Sequence, residues 1–174
     1  MCVIIYKPEN QPLPDIETLV ACYHRNRHGM GFCTSNGTIR HTMSFSRFCS
    51  ELGKVDESEA VIMHFRWATH GSIGLKNCHP FHDKEHGLSF AHNGILDIEA
   101  TRDRTDSETW FRDRFLPMLD RYGWDSKTFW DWVNVERGAS RFIFMRGNEV
   151  KRLGNWHNVG GCWYSNLNWQ YRNY

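Results

Sequence analysis

A chain of 174 residues that is 40% hydrophobic can bury one well-packed core but is too short for two ordinary domains, so a single domain over residues 1–174 is expected. Its formal net charge of +1 gives no broad field for a nucleic acid or an acidic membrane, so such a partner would need a local patch. Cysteines 2, 22, 33, 49, 78 and 162 form no Cys-x-x-Cys pair, no leader-like segment opens the chain and no run reaches ~18 to 20 apolar residues, so a reduced, cytoplasmic protein without a membrane span is expected.

In chain order, the apolar run Cys2-Val3-Ile4-Ile5-Tyr6 reads as a first strand. Asp15 is a candidate N-cap for a helix reaching about Asn26, with Ile16, Leu19, Val20 and Tyr23 on one face. Residues 29–34 and 38–43 flank Asn36-Gly37, the dipeptide best suited to a two-residue type I′ turn because both central positions need φ > 0, so a β-hairpin is expected. A short helix over 46–52, a buried strand over 60–67 and a strand over 88–92 ending at Asn93-Gly94 follow. From Asp106 the spacing predicts a helix with Trp110, Phe111, Phe115 and Leu119 inward, and Pro117 kinking or interrupting its later part. A Trp-rich helix over 126–135 precedes strands at 140–145, 150–153 and 162–164, the first two joined through Gly147-Asn148. Many strands with helices inserted between them fit a layered α+β domain better than a bundle or a regular βαβ series.

The polar motifs fall at strand ends. Cys2 follows only Met1. Once Met1 is removed, a thiol and a free α-amine share one residue, and the amine, with an intrinsic pKa of ~7.7 to 8.0, can act as the base that activates the thiol. A small, buried strand residue would look the same in the sequence. The segment His64-Phe65-Arg66-Trp67-Ala68-Thr69-His70-Gly71 puts Arg66 and His70 near a sheet end, where a planar guanidinium can grip a carboxylate bidentately or simply pair with a surface acid. Asn93-Gly94 joins an amide side chain to a flexible backbone N–H, two donor types that stabilise a tetrahedral oxyanion, although Asn-Gly is also an ordinary turn. Thr105-Asp106-Ser107-Glu108 opens a helix, where Asp106 either caps or aims its carboxylate at a substrate ammonium. Together these parts describe one ligand, with Arg for an α-carboxylate, Asp for an α-ammonium, and a thiol and oxyanion donors at the far end of a short side chain. That ligand is L-glutamine.

Met1-Cys2, Arg66-Trp67-Ala68-Thr69-His70-Gly71, Asn77-Cys78-His79-Pro80, His92-Asn93-Gly94 and Asp106-Ser107-Glu108 resemble, in order and over most of the chain, the motifs of class II glutamine amidotransferase domains of the compact, stand-alone type. Gly29-Met30-Gly31, Gly138-Ala139-Ser140 and Tyr164-Ser165-Asn166 resemble weaker landmarks of that family. The resemblance implies the N-terminal-nucleophile hydrolase fold, a four-layer αββα sandwich of two antiparallel sheets between helices. It implies that Cys2 attacks the amide carbon while its α-amine relays protons, and that Asn93 and Gly94 hold the oxyanion. Arg66 would bind the carboxylate and Asp106 the ammonium, Thr69 and His70 would shape the pocket, and Trp67 either lines it or packs as core. Ammonia leaves, water hydrolyses a γ-glutamyl thioester on Cys2, no cofactor or metal is called for, and the ammonia passes to an acceptor enzyme in trans. Met30, where compact members often carry Trp, and Cys78, where a small residue is common before His-Pro, are departures that bear on packing. Compact relatives also leave open the hydrolysis of another γ-glutamyl amide.

Two other classes have a basis in the residues. Cys78-His79 with His82 and His86 contains spacings able to ligate zinc, which would make a metal-dependent hydrolase. Trp163, Tyr164, Trp169, Tyr171 and Tyr174 beside Arg172 can form an aromatic surface for a protein or a single-stranded nucleic acid, and residues 166–174 are where an acceptor enzyme would dock. Near-neutral charge argues against the nucleic acid.

Overall fold

The computed structural model describes residues 2–68, 72–98 and 104–170. Strands β1 (Val3–Lys7), β2 (Met30–Thr34), β3 (Ile39–Thr42), β4 (Val61–Phe65), β9 (His157–Val159) and β10 (Cys162–Tyr164) form an antiparallel sheet in the order β3-β2-β4-β1-β10-β9. A second antiparallel sheet runs β5-β6-β7-β8, from β5 (Phe81–Asp83), β6 (Leu88–Asn93), β7 (Arg141–Arg146) and β8 (Glu149–Leu153).

β1 is apolar throughout its first three residues because both of its faces are covered. Ile4 meets Cys33 and Ile62 of its own sheet and Ala91, Ile143 and Met145 of the other, in the layer between the sheets. Val3 and Ile5 point the opposite way, toward Leu19 and Cys22 of α1 (Ile16–Arg25) and Phe48 and Leu52 of α2 (Phe45–Leu52). Outside the second sheet, Phe90, Phe142 and Phe144 pack on α3 (Asp106–Trp110), α4 (Leu116–Tyr122) and α5 (Lys127–Glu136). The result is the expected αββα sandwich. No helix among the described residues is long and apolar enough to cross a membrane.

Several elements differ from the sequence expectation in detail. Asp15 does cap α1, accepting from Thr18 N–H at 2.7 Å, but Ile16 faces solvent and Cys22 joins Leu19 in the core, while Tyr23 is only partly buried. The hairpin at Asn36-Gly37 is not a type I′ turn. Thr34 N–H donates to Thr38 O at 2.9 Å around the three-residue loop Ser35-Asn36-Gly37, in which Gly37 alone has positive φ, at 88°. Asn36 Oδ1 accepts from Thr38 N–H and the Thr34 hydroxyl, which holds this form. The interruption expected at Pro117 takes the form of a π-helical turn at Phe111–Phe115, which joins α3 to α4 just ahead of the proline whose missing N–H cannot serve the carbonyl four residues back. β5 and β9, three residues each, are too short to leave a periodic signal and have no counterpart in the sequence reading.

The register of β1 sets the location of chemistry. Val3 pairs with Phe65 of β4 and Ile5 with Tyr164 of β10, so Cys2 lies at the strand end beside Arg66 and Trp67 on one side and Ser165 and Asn166 on the other.

Candidate active site

At that end of the sandwich a cavity of about 110 Å³ is lined by Cys2, Arg66, Trp67, Asn93, Gly94 and Asp106, together with Asn77, His79, His92 and Ile95. This is far below the ~300–1,000 Å³ of pockets for drug-sized ligands and suits a molecule of amino-acid size. Thr69 and His70, also expected at the site, lie outside the described residues.

The Cys2 thiol accepts from Trp67 N–H at 3.3 Å and donates to Trp67 C=O at 3.4 Å. Burial raises its pKa above the ordinary thiol value, against the smaller opposing pull of the Trp67 N–H and the Arg66 charge. Asn166 Nδ2 fixes the Cys2 backbone by donating to its carbonyl at 2.8 Å. Arg66, 4% exposed, continues β4 with its N–H on Gly29 O at 2.9 Å, and its guanidinium donates to Ser72 O at 3.0 Å. Asn77 Nδ2 donates to the same Ser72 carbonyl at 2.9 Å. Trp67 is not core: it is 42% exposed and stacks on His28 at 4.6 Å, while His28 Nδ1 accepts from Ala68 N–H at 2.9 Å.

Asn93 ends β6, is buried, and sits with Nδ2 2.8 Å from Ser165 Oγ. Gly94 follows at φ 154°, and a Cβ there would collide with the Ser140 hydroxyl, which donates to Ile95 O at 3.2 Å. Only glycine fits this position. Asp106 is not the helix cap. Thr105 holds that place, its Oγ1 accepting from Glu108 N–H at 3.2 Å, so Asp106 is the first helical residue. Its carboxylate accepts from Leu96 N–H at 3.1 Å and from the Ser107 hydroxyl at 3.3 Å, and it lines the cavity.

Three buried histidines lie at and behind the cavity. His92 Nδ1 pairs with Ser107 Oγ at 2.7 Å, and His79 Nδ1 with His64 Nε2 at 3.1 Å. Burial holds the pKa of His64 and His79 well below the ordinary value and lowers that of His92 to about 4, despite the nearby Asp106 charge. All three are neutral near pH 7.

Sequence reasoning missed His28, which has no motif or periodicity to mark it, and gave Ser165 and Asn166 only a loose resemblance with no role. The zinc alternative finds its residues on separate errands. Cys78 Sγ donates to Gly74 O, His79 faces His64, His82 meets Ser89, and His86 bridges Asp83 and Asp120. Among the described residues no group of three or more His, Cys, Asp or Glu is placed to hold a metal ion. Of the C-terminal aromatics, Tyr164 and Trp169 are core, Trp163 carries Arg152 over its ring at 3.8 Å, and Tyr171 and Tyr174 lie outside the described residues.

A sequence model of the class II glutamine amidotransferases matches residues 24–128. The chain is 40% identical over 52 residues to the isomerizing glutamine–fructose-6-phosphate aminotransferase of Chlamydia trachomatis, a stretch covering 30% of this chain and 9% of that protein. With the enzyme of the same name from Methanococcus maripaludis it shares 32% identity over 103 residues, 55% of this chain and 17% of the relative. Among solved structures, the glutamine phosphoribosylpyrophosphate amidotransferase from B. subtilis, complexed with ADP and GMP, superposes with a TM-score of 0.59 at 20% identity, covering 94% of this chain and 41% of that one. That likeness is one of fold, the N-terminal-nucleophile sandwich. This chain therefore spans less than a fifth of the length of these curated relatives.

Proposed function

This chain belongs to the class II glutamine amidotransferases, and from that premise we propose that residues 1–174 form one glutaminase domain acting through Cys2. The observation that carries the proposal is convergence: Cys2, Arg66, Asn93, Gly94 and Asp106, far apart in sequence, line one small cavity.

In the proposed reaction Met1 is removed, and glutamine enters with its α-carboxylate on Arg66 and its α-ammonium on Asp106, while Trp67, Thr69 and His70 shape the pocket. Burial keeps the thiol protonated at neutral pH, so it needs a base, and the α-amine of Cys2 supplies one without a histidine. Sγ attacks the side-chain carbonyl carbon as its proton moves to the amine, and the negative charge moves onto the carbonyl oxygen, where Asn93 and the Gly94 N–H stabilise it. The carbon–nitrogen bond breaks, the amine returns a proton to the departing nitrogen, and ammonia leaves a γ-glutamyl thioester on Cys2. Water then cleaves the thioester to glutamate. Free ammonia is mostly protonated near neutral pH and loses its nucleophilic lone pair, so transfer favours an acceptor enzyme docked in trans.

One observation favours a second reading. Ile95, 69% exposed, and Trp67 offer apolar surface at the cavity that ammonia cannot use. A larger amine leaving group would pack there, which makes another γ-glutamyl amide the alternative substrate.

Intact mass measured together with glutamate release from L-glutamine, for wild type and Cys2→Ala, tests the proposal. We expect Met1 to be absent and turnover to fall on the order of 10⁴-fold or more in the variant, as for other single-nucleophile losses. Persistent turnover without the thiol would overturn the mechanism. Faster release of glutamate from γ-glutamyl peptides than from glutamine would select the second reading.

A further inference from the structure

We propose that Ser165 is a positioning residue that turns the Asn93 amide so that its NH2 group faces the developing oxyanion. The inference rests on the glutaminase reading above.

Ser165 follows β10 and is fully buried. Its N–H donates to Ile4 O at 3.0 Å and its Oγ accepts from Ile4 N–H at 2.9 Å, so it holds both arms of the residue two positions after the nucleophile. The same Oγ lies 2.8 Å from Asn93 Nδ2, and Asn93 Oδ1 is buried with no partner among the described residues. As it stands, this arrangement is unbalanced. Oγ receives two hydrogens, and among the described residues its own hydrogen meets no acceptor and the amide oxygen no donor.

A half-turn about the Asn93 Cβ–Cγ bond exchanges two isosteric groups and pairs the hydroxyl hydrogen with the amide oxygen. Ile4 N–H still donates to Ser165 Oγ, the Ser165 hydroxyl now donates to Asn93 Oδ1, and the amide NH2 replaces the oxygen on the other side. The one group then unpaired is a donor pair, on a residue that lines the Cys2 cavity. Such a donor finds its acceptor only when charge collects on the substrate oxygen, and an interaction made only at that moment raises kcat rather than tightening binding. In the opposite orientation an amide oxygen would face the same charge and repel it. Ser165 chooses between the two because a hydroxyl already accepting from Ile4 has its hydrogen left to give.

A double-mutant cycle with L-glutamine tests this, using wild type, Ser165→Ala, Asn93→Ala and the double variant, each checked by thermal melting. We expect Ser165→Ala to lower kcat by about 10- to 100-fold with KM within a few-fold of wild type, and Asn93→Ala to lower it by about 10²- to 10³-fold. The double variant should match Asn93→Ala, because Ser165 acts only through that amide. Multiplicative losses, or a kcat for Ser165→Ala within three-fold of wild type, would overturn the role. An inactive wild type would bring down the glutaminase reading first and this inference with it. Should Ser165→Ala fail to fold, wild type is labelled with ¹⁵N and treated with the γ-aldehyde analogue of glutamine. The Cys2 thiol adds across its C=O, forming a C–S bond and placing an oxygen where the oxyanion would sit. The Asn93 NH2 resonances should shift on adduct formation; unmoved resonances would overturn the proposal.

Discussion

The two ends of β6 sit in opposite kinds of surroundings. At one end, Phe90 packs on Trp110, Phe111, Phe142 and Phe144 at ring separations of 5.5, 5.1, 5.1 and 4.8 Å. The indoles of this layer are served, that of Trp110 donating to Glu136 and that of Trp130 to Trp124 O, while the buried Thr109 hydroxyl has no partner among the described residues. Two residues on, the same strand face carries His92, and Asn93 follows. Here His64, His79, His92, Asn77 and Asn93 each keep a buried polar atom without a partner among the described residues. A folded chain rarely tolerates such atoms, and a group of them at and behind one cavity is the pattern a functional site is expected to show. Apolar packing holds the first end and would accept many similar side chains, whereas particular hydrogen bonds hold the second and would accept few.

The largest expected effect falls on the apolar end. Phe90→Ala should cost about 3–5 kcal/mol of unfolding free energy by denaturant titration, since a fully buried ring is lost from a layer that cannot close over it. KM for glutamine in the remaining folded protein should hardly change. A cost under about 1 kcal/mol would show that the aromatic layer is not what secures β6.

At the polar end the expected pattern reverses. Arg66→Lys replaces a planar fork with a point charge, so KM for glutamine should rise about 10- to 100-fold, or about 1.4–2.7 kcal/mol, with a small change in melting temperature. An unchanged KM would remove Arg66 from carboxylate binding.

Acid should also separate the two ends. His64, His79 and His92 are held neutral in the fold, with pKa values depressed by burial. In the unfolded chain each titrates at about 6.5. Below that pH the unfolded state binds protons the native state refuses, so stability present above pH ~6.5 is lost as pH falls, continuing until each native pKa is reached. The loss at pH 5 can reach about 2 kcal/mol per histidine. Denaturation curves at pH 7 and pH 5 for wild type and His92→Gln measure this share; equal pH sensitivity in the two proteins would exclude His92 as a source.

The same contrast explains what could be read in the sequence. Trp110, Phe111, Phe115 and Leu119 repeat at helical spacing and are buried as that spacing requires. The first strand, the Asp15 cap and the strand ending at Asn93 were legible for the same local reasons. Ser165 was not, because its side chain's two hydrogen bonds reach across 72 and 161 positions of sequence, and a contact of that range leaves no periodicity. The hairpin turn failed on a side chain: Asn36 bonds Thr38 and Thr34 instead of entering the left-handed region. At the start of α3, Thr and Asp both cap helices well, so propensity alone could not say which of two neighbours would do it.

That one-residue difference supports the smallest effect and the finest test. Because Thr105 caps α3, Asp106 can turn its carboxylate back to Leu96 N–H and the cavity. The same helix start therefore serves both ends of the comparison, with Trp110 reaching the aromatic layer and Asp106 the site. Thr105→Ala should cost about 1 kcal/mol of stability, the usual worth of such a cap. If the Leu96 N–H and Ser107 hydroxyl are what place the carboxylate, KM for glutamine should stay within about two-fold, because neither bond involves Thr105. A ten-fold rise in KM with the same loss of stability would mean that the cap itself aims Asp106, and that the polar end depends on local helix geometry as the aromatic end does.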